Sequence, residues 1–344
     1  MRVVRVRNVS EAWARLSDTL AGAQPEETRA GRALVVPEPV TTVYERPTER
    51  VLFCPARDAN PFFHLMEALW MLAGRQDARF LDRYVGDFGK RFAESDGRIH
   101  GAYGYRWRNG MGTIDQLHKV VDKLCTNPND RQAVIQMWDQ RFWNDLTGDW
   151  KDRPCNTHVY LRVREHREVR GGELVVDEVL DLTVLCRSND AVWGAYGANA
   201  VHFSVLQEYL AARIGVQVGV LYQVSNNFHV YEGVWQKVRP TDAQSAEAEE
   251  VTLGCTPMFV QPDRIDQDVM ALMDWHENLW GGGAEHRPMF HNPWFATTAQ
   301  RVARAWFSRR ALGSLDAALA GVRVIECPAW RTACMEWLQR RGAE

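Results

Sequence analysis

Apolar residues run through this chain in two rhythms. From Pro61 to Ala73 the segment PFFHLMEALWMLA is rich in helix formers and apolar almost all round, which predicts a buried helix ended by Gly74. Ala200–Ile214 reads as a second buried helix, and Met111–Leu124 as a further one. Elsewhere apolar and polar positions alternate. QAVIQMW (132–138), THVYLRVR (157–164), DEVLDLTVLCR (177–187) and QVGVLYQVS (217–225) predict strands. Arg32–Pro55, punctuated by Pro37, Pro39 and Pro47, reads as strands with turns between them. The acidic run TDAQSAEAEE (241–250) predicts a solvated loop, and GGG (281–283) a flexible connection. Amphipathic patterns then predict helices over 296–307, 313–320 and about 328–341. Strands and helices are interspersed without regular βαβ alternation, so the fold class expected is α+β with a mixed or antiparallel sheet.

Composition narrows the function classes. Lys and Arg total 41 against 44 Asp and Glu, a balance that argues against a protein built mainly to coat nucleic acid. No stretch approaches the roughly 18 consecutive apolar residues of a membrane span. The start, MRVVRVRNVSEAW, has no signal-peptide core. The seven cysteines are scattered without a CxxC pair, which predicts reduced thiols and a cytoplasmic location. No metal-type His/Cys spacing, GxGxxG or GxxxxGK[ST] loop occurs, so neither a metal centre nor those nucleotide loops are expected.

Three places carry candidate chemistry. Cys155 follows Pro154 at the entrance of a patterned strand, with Arg153 beside it and Arg187 available to lower its pKa. It reads either as a nucleophile or as a small buried hydrophobe. His158, three residues on, would face the opposite side of that strand, so the neighbourhood does not support a Cys–His pair. RSNDAVWGAYGANA (187–200) sets polar groups around a Trp and glycines between a strand and a helix. Arg187 and Ser188 suit a phosphate and Asn199 a pyrimidine edge, although a capped helix start explains the same pattern. Glu67 is the lone acid of its apolar helix, and a buried carboxylate there needs a partner or a function.

Taken in order, these motifs resemble the folate-dependent thymidylate synthase superfamily. The resemblance runs from about Arg29 to Tyr231 through HLMEALWMLAG (64–74), GAYGYRWR (101–108), RPCN (153–156), RSNDAVWGAYGAN (187–199) and NNFHVY (226–231). It implies a mixed β-sheet packed with helices, the sheet forming a homodimer interface. It divides the chain into a catalytic core, 1–254, and a helical extension, 255–344, packed on the same domain. It also implies that Cys155 adds to C6 of a pyrimidine nucleotide and that C5 then attacks the methylene of 5,10-methylenetetrahydrofolate, the cosubstrate. Glu67 would handle protons through water, and Tyr103 would help remove the C5 proton. Arg29, Arg187 and Ser188 would hold the 5′-phosphate, with Arg131 supplied by the second subunit. Asn199 would read the base, Asp190 the pterin, and His229 with Tyr231 the 3′-hydroxyl. The implied partners are a nucleotide, a folate and a second copy of the chain; neither a membrane nor nucleic acid is required.

The departures from the family pattern bear on the product. Asn156 stands where His is common, and Gln132 replaces a second arginine. One extra residue separates Asp190 from Asn199. VGDFGKRFAE (85–94) lacks the Trp that packs near folate in methyl-forming members, and the chain ends in WLQRRGAE rather than a short apolar closing tail. A methyl product requires water to be excluded until hydride arrives. The reading is therefore a hydroxymethyltransferase making 5-hydroxymethyl-dUMP, as in phage-type members. A thymidylate synthase making dTMP and dihydrofolate, a dCMP or CMP hydroxymethylase, and an inactive nucleotide- or RNA-binding relative are the alternatives.

Overall fold

The helix Pro61–Leu72 is the pivot of the structure, a computed structural model that describes residues 1–110, 112–241, 253–283 and 288–342. Asn60 caps it by accepting from the Phe63 N–H at 3.1 Å, and Pro61 occupies the first turn, where no amide is needed. Every residue of this helix except Phe63 is buried. The chain leaves it at Gly74, whose φ of +67° is open to glycine at little cost.

Two sheets accompany it. The larger has six strands among the described residues, in the order β1 (Arg2–Val6), β4 (Val40–Tyr44), β9 (Gln217–Ser225), β7 (Glu173–Cys186), β6 (Asn156–Arg170) and β5 (Val134–Gln136). It is mixed: β1 runs parallel to β4 and β7 to β9, whereas β4–β9, β7–β6 and β6–β5 are antiparallel. The smaller sheet joins β2 (Gln24–Thr28), β3 (Gly31–Val35), β10 (Phe228–Tyr231) and β8 (Asn189–Asp190). The α+β class inferred from the sequence holds.

Most predicted elements form, with shifted ends. The helix predicted over Met111–Leu124 spans Gln116–Thr126, since Asp115 caps it by accepting from the His118 N–H at 3.0 Å; Met111 lies outside the described residues. The predicted strands at 157–164 and 177–187 lengthen into a hairpin turning at Gly171 and Gly172. Strand structure in 32–55 is confined to β3 and β4, and VLFC (51–54) is irregular. Pro47 and Pro55 flank that stretch without amides to offer a ladder, and the Phe53 N–H donates to Ser10 Oγ at 3.3 Å instead. The predicted loop at 241–250 lies, apart from Thr241, outside the described residues.

The sequence reading assigns no element to residues 2–14 or 265–280. There the structure has β1, a helix over Val9–Ala14 and a long helix over Ile265–Trp280. Ile265, Val269, Leu272, Met273 and His276 form the buried stripe of that last helix, so its period was present under the scattered acids. It is tied to the rest through Asp266, which pairs with Arg108 and with Arg213 at 3.0 Å. The C-terminal helices Gln300–Arg310, Leu315–Arg323 and Pro328–Arg340 follow. Trp306 and Trp337 pack on Phe62 with ring centroids 5.3 and 5.8 Å away. Among the described residues, no helix is long and apolar enough to cross a membrane.

The helix Tyr103–Arg108 crosses Pro61–Leu72 at very close range. A Cβ at Gly104 would lie 2.0 Å from the Met71 carbonyl oxygen, so only glycine permits the crossing. Gly104→Ala is expected to destabilise the fold by about 2 kcal/mol or more, as overpacking against backbone does. Gly233→Ala, which meets nothing within 4 Å, should leave stability within about 0.5 kcal/mol. Urea denaturation of both variants checks the contrast.

Candidate active site

Cys155 is fixed by pairing between two strand ends. The Arg187 N–H donates to the Cys155 carbonyl at 2.8 Å, continuing the β6–β7 ladder. The Arg187 guanidinium turns back onto the same loop, donating to the Pro154 carbonyl at 3.0 Å and the Arg153 carbonyl at 3.1 Å, and lies over the Trp138 ring. Asn156 is fully buried, and its amide donates to the Leu185 carbonyl at 2.7 Å across the bulge where the register slips. The residue that departs from the family pattern thus fastens the turn. His158 stacks with Tyr160 and does not line the cavity beside Cys155.

That cavity holds about 370 Å³. It gathers Cys155, Glu67, Tyr103, Ser188, Asp190 and Asn199, residues spread over more than 130 positions of sequence. Tyr103 opens the helix Tyr103–Arg108 and lines the cavity with Cys155, close enough for each group to feel the other's charge. Burial pushes the phenol well above its ordinary range. Glu67 is buried, and its carboxylate lies 2.9 Å from His202 Nε2, which gives the lone acid of the apolar helix a partner. Asp190 Oδ1 accepts from the Val192 and Trp193 amides, both at 2.7 Å, while its Oδ2 is buried without a partner.

The thiol departs from the sequence expectation. Burial raises the Cys155 pKa above the ordinary thiol value, Asp152 and Asp190 adding to the rise, and the pull of Arg187 and of the Tyr103 hydroxyl does not overcome it. Arg153, expected to help, turns its guanidinium to the Gly148 carbonyl.

Between Asp190 and Asn199, where the resemblance implied an extra residue, the chain makes a widened, π-type turn over Ala191–Ala198, with non-helical backbone at Tyr196 and Gly197. Asn199 then starts the helix Asn199–Ile214 with its amide in the cavity wall. Its Nδ2 donates to Asn189 Oδ1 at 3.1 Å, and Asn189 Nδ2 donates to Ser225 Oγ at 3.1 Å. VGDFGKRFAE has no Trp, yet it supplies Phe88 and Phe92 to the wall. No residue beyond His202 lines the cavity among the described residues. The end of the last helix instead holds Asp58, through Arg340 at 3.1 Å and through Arg341. The neighbouring Arg57 lies 4.4 Å from the centre of the Trp193 ring, another wall residue.

The other predicted residues lie around this centre. His229 and Tyr231 sit on β10, where His229 is in register with Asp190 and the two rings meet edge to face at 5.4 Å. Arg29 is exposed in the β2–β3 turn, and Arg131 is exposed in the loop before β5; neither lines the cavity. Sequence reasoning missed His202, Asn189, Trp193 and Asp152. The first had a signal, since His202 follows Asn199 at helical spacing and so shares its face. Asp152 was visible as the acid of DRPC. Asn189 and Trp193 had only their places inside a motif already singled out.

Comparison with known proteins places the chain in a family. A family model described as thymidylate synthase matches residues 56–262. The chain is similar to the deoxyuridylate hydroxymethyltransferase of Pseudomonas phage M6, 38% identical over 100% of this chain and 95% of that protein. It is 35% identical to the deoxyuridylate hydroxymethyltransferase of Bacillus phage SP01 over 58% of this chain and 51% of that protein. A putative thymidylate synthase of Methanosarcina mazei is 35% identical over 40% of this chain and 55% of its own length.

A raised thiol pKa means that the thiolate appears only at higher pH. Alkylation of Cys155 in the ligand-free protein, followed by peptide mass mapping, should therefore show a midpoint above that of an ordinary thiol. Arg187→Ala removes the main stabilising charge and should move that midpoint higher still.

Proposed function

We propose that this chain, which belongs to the thymidylate synthase family, transfers a one-carbon unit to C5 of dUMP and delivers 5-hydroxymethyl-dUMP. One observation carries the reading: the thiol of Cys155, the anchored amide of Asn199 and the free Asp190 oxygen face a single cavity. In this reading the Cys155 thiolate attacks C6, and the electron pair arriving at C5 makes that carbon nucleophilic. Tyr103, which lines the cavity with the thiol, helps remove the C5 proton. Glu67, oriented by His202, manages protons at the base through water. Arg187 and Ser188 hold the 5′-phosphate with Arg29, and Arg131 comes from the second subunit of a homodimer packed through the large sheet. His229 and Tyr231 take the 3′-hydroxyl.

The residues present fit a folate. Trp193, Phe88 and Phe92 offer flat walls, and the unpartnered Asp190 Oδ2 is an acceptor for a ring N–H. When bound, 5,10-methylenetetrahydrofolate supplies the carbon at the oxidation level of formaldehyde. The aromatic walls orient the ring, while the last helix holds Asp58 beside Arg57, which stacks on Trp193. The seven cysteines are unpaired, which suits a reducing, cytoplasmic setting.

Base choice rests on the amide orientation. With one Asn199 N–H given to Asn189, the other N–H donates to O4 of uracil and the oxygen accepts from N3–H. Mass spectrometry of products from dUMP, dCMP and CMP tests the reading, with absorbance monitoring for dihydrofolate. The expected result is hydroxymethylated dUMP without dihydrofolate; dTMP with dihydrofolate, or a preference for cytosine, overturns it.

Three variants extend that test. Cys155→Ser should abolish turnover while dUMP binding, read by calorimetry, persists. Mixing Arg131→Ala with Cys155→Ser should restore partial activity, because one site of the heterodimer keeps both residues; no recovery counts against the shared site. Asn199→Asp removes the donor to O4. It should lower kcat/KM on dUMP about tenfold or more and raise dCMP relative to it, since a mispaired buried polar group costs about 1–3 kcal/mol.

A further inference from the structure

We propose that Asp152 is the general base that delivers water to the reacting carbon. The inference rests on the hydroxymethylation reading and adds a catalytic residue to it. Three carboxylates line the cavity among the described residues, and two of them are already engaged: Glu67 with His202, and Asp190 with the amides of Val192 and Trp193. The third, Asp152, stands three residues before Cys155 on the same turn and lines the cavity with it.

Its backbone surroundings are built for the carboxyl. The Gly101 backbone lies against it: a Cβ at position 101 would come within 2.3 Å of Asp152 Oδ2. Glycine at the head of GAYGYRWR is therefore what lets that strand of backbone approach the acid. Cys155 and Tyr103 face the same carboxylate and feel its charge. In the proposed chemistry these two groups act at C6 and C5, so Asp152 lines the same cavity as the groups that serve the reacting carbons.

Its neighbours also set its basicity. Burial and Glu94 raise the carboxyl pKa to about 6, against the pull of Arg106, Arg187 and the Gly101 N–H. The acid is thus ionised at neutral pH yet more basic than an ordinary carboxylate, as suits a proton acceptor working near neutrality.

The step balances without a reductant. The water oxygen bonds to the exocyclic methylene carbon carried at C5, and the C5=CH2 electron pair moves into the ring as the C4 enolate. Asp152 accepts the proton that water loses. The enolate then re-forms C4=O and C5=C6 as the C6–S bond breaks, returning the Cys155 thiolate, and the acid passes its proton to solvent.

The test uses the full-length protein with 5-tritiated dUMP and 5,10-methylenetetrahydrofolate. Parent and Asp152→Asn are compared for tritium release, for product by mass spectrometry and for the pH profile. In the variant, hydroxymethyl formation should fall by about 10²–10⁴-fold. Tritium should still leave C5 in a burst of about one equivalent per Cys155, and added 2-mercaptoethanol should trap the stalled adduct as a thioether of the nucleotide. The rise in parent rate through about pH 6 should disappear. Asp152→Glu, which keeps the base, should recover part of the rate and the limb. Hydroxymethyl formation by Asp152→Asn at the parental rate with an unchanged limb overturns the proposal, as does loss of the tritium burst together with the product while dUMP binding is retained. A parent that yields dTMP and dihydrofolate instead removes the hydroxymethylation reading itself, a distinct result read before any variant is made.

Discussion

The hydrogen bond from the Arg187 amide to the Cys155 carbonyl is the constraint on which the site depends. It continues a hairpin ladder beyond the last strand residues and places a thiol and a guanidinium from opposite strands side by side. The Arg187 side chain then binds the carbonyls of Pro154 and Arg153, so the same residue closes the turn twice. Ser188, Asp190 and Asn199 follow Arg187 in the chain, and their positions follow from that closure. The ladder shifts register at the bulge between Asn156 and His158, and the Asn156 amide spans that bulge to the Leu185 carbonyl, which holds the turn in place.

Enclosure has a cost that the cavity distributes unevenly. Burying Cys155, Tyr103 and Asp152 raises all three pKa values, so each holds its proton more tightly in the ligand-free protein. Cationic help comes chiefly from Arg187, itself held by backbone carbonyls. Activation of the thiol is therefore left to events that accompany ligand binding rather than stored in the resting protein. Glu67 avoids isolation through His202, which is one reason a carboxylate survives inside an otherwise apolar helix.

The departures from the family pattern become concrete once folded. The widened turn at Ala191–Ala198, kinked at Tyr196 and Gly197, sets the direction in which the Asn199 amide leaves the start of its helix. The Trp-less segment still furnishes aromatic surface through Phe88 and Phe92. The chain end clamps Asp58 from outside, two residues removed from the cavity wall in effect: Asp58 adjoins Arg57, and Arg57 stacks on Trp193.

The sequence by itself determined the α+β class, the buried helices, the two strands that join into the long hairpin, and six residues that meet in the cavity: Glu67, Tyr103, Cys155, Ser188, Asp190 and Asn199. Those features rest on local periodicity and on short motifs whose spacing a single chain displays. The boundaries of 116–126 and the irregular path of 51–54 depended on caps and prolines acting against the simple pattern. Tertiary structure alone decided the rest. Glu67 finds His202 across 135 positions, Asn199 finds its anchor in Asn189, and Asp152 meets Gly101 only because two distant segments close on one another. The direction of the Cys155 pKa shift was likewise undecidable from neighbours in sequence. Arginine proximity lowers a thiol pKa and burial raises it, and which effect is larger depends on how much water the folded walls exclude.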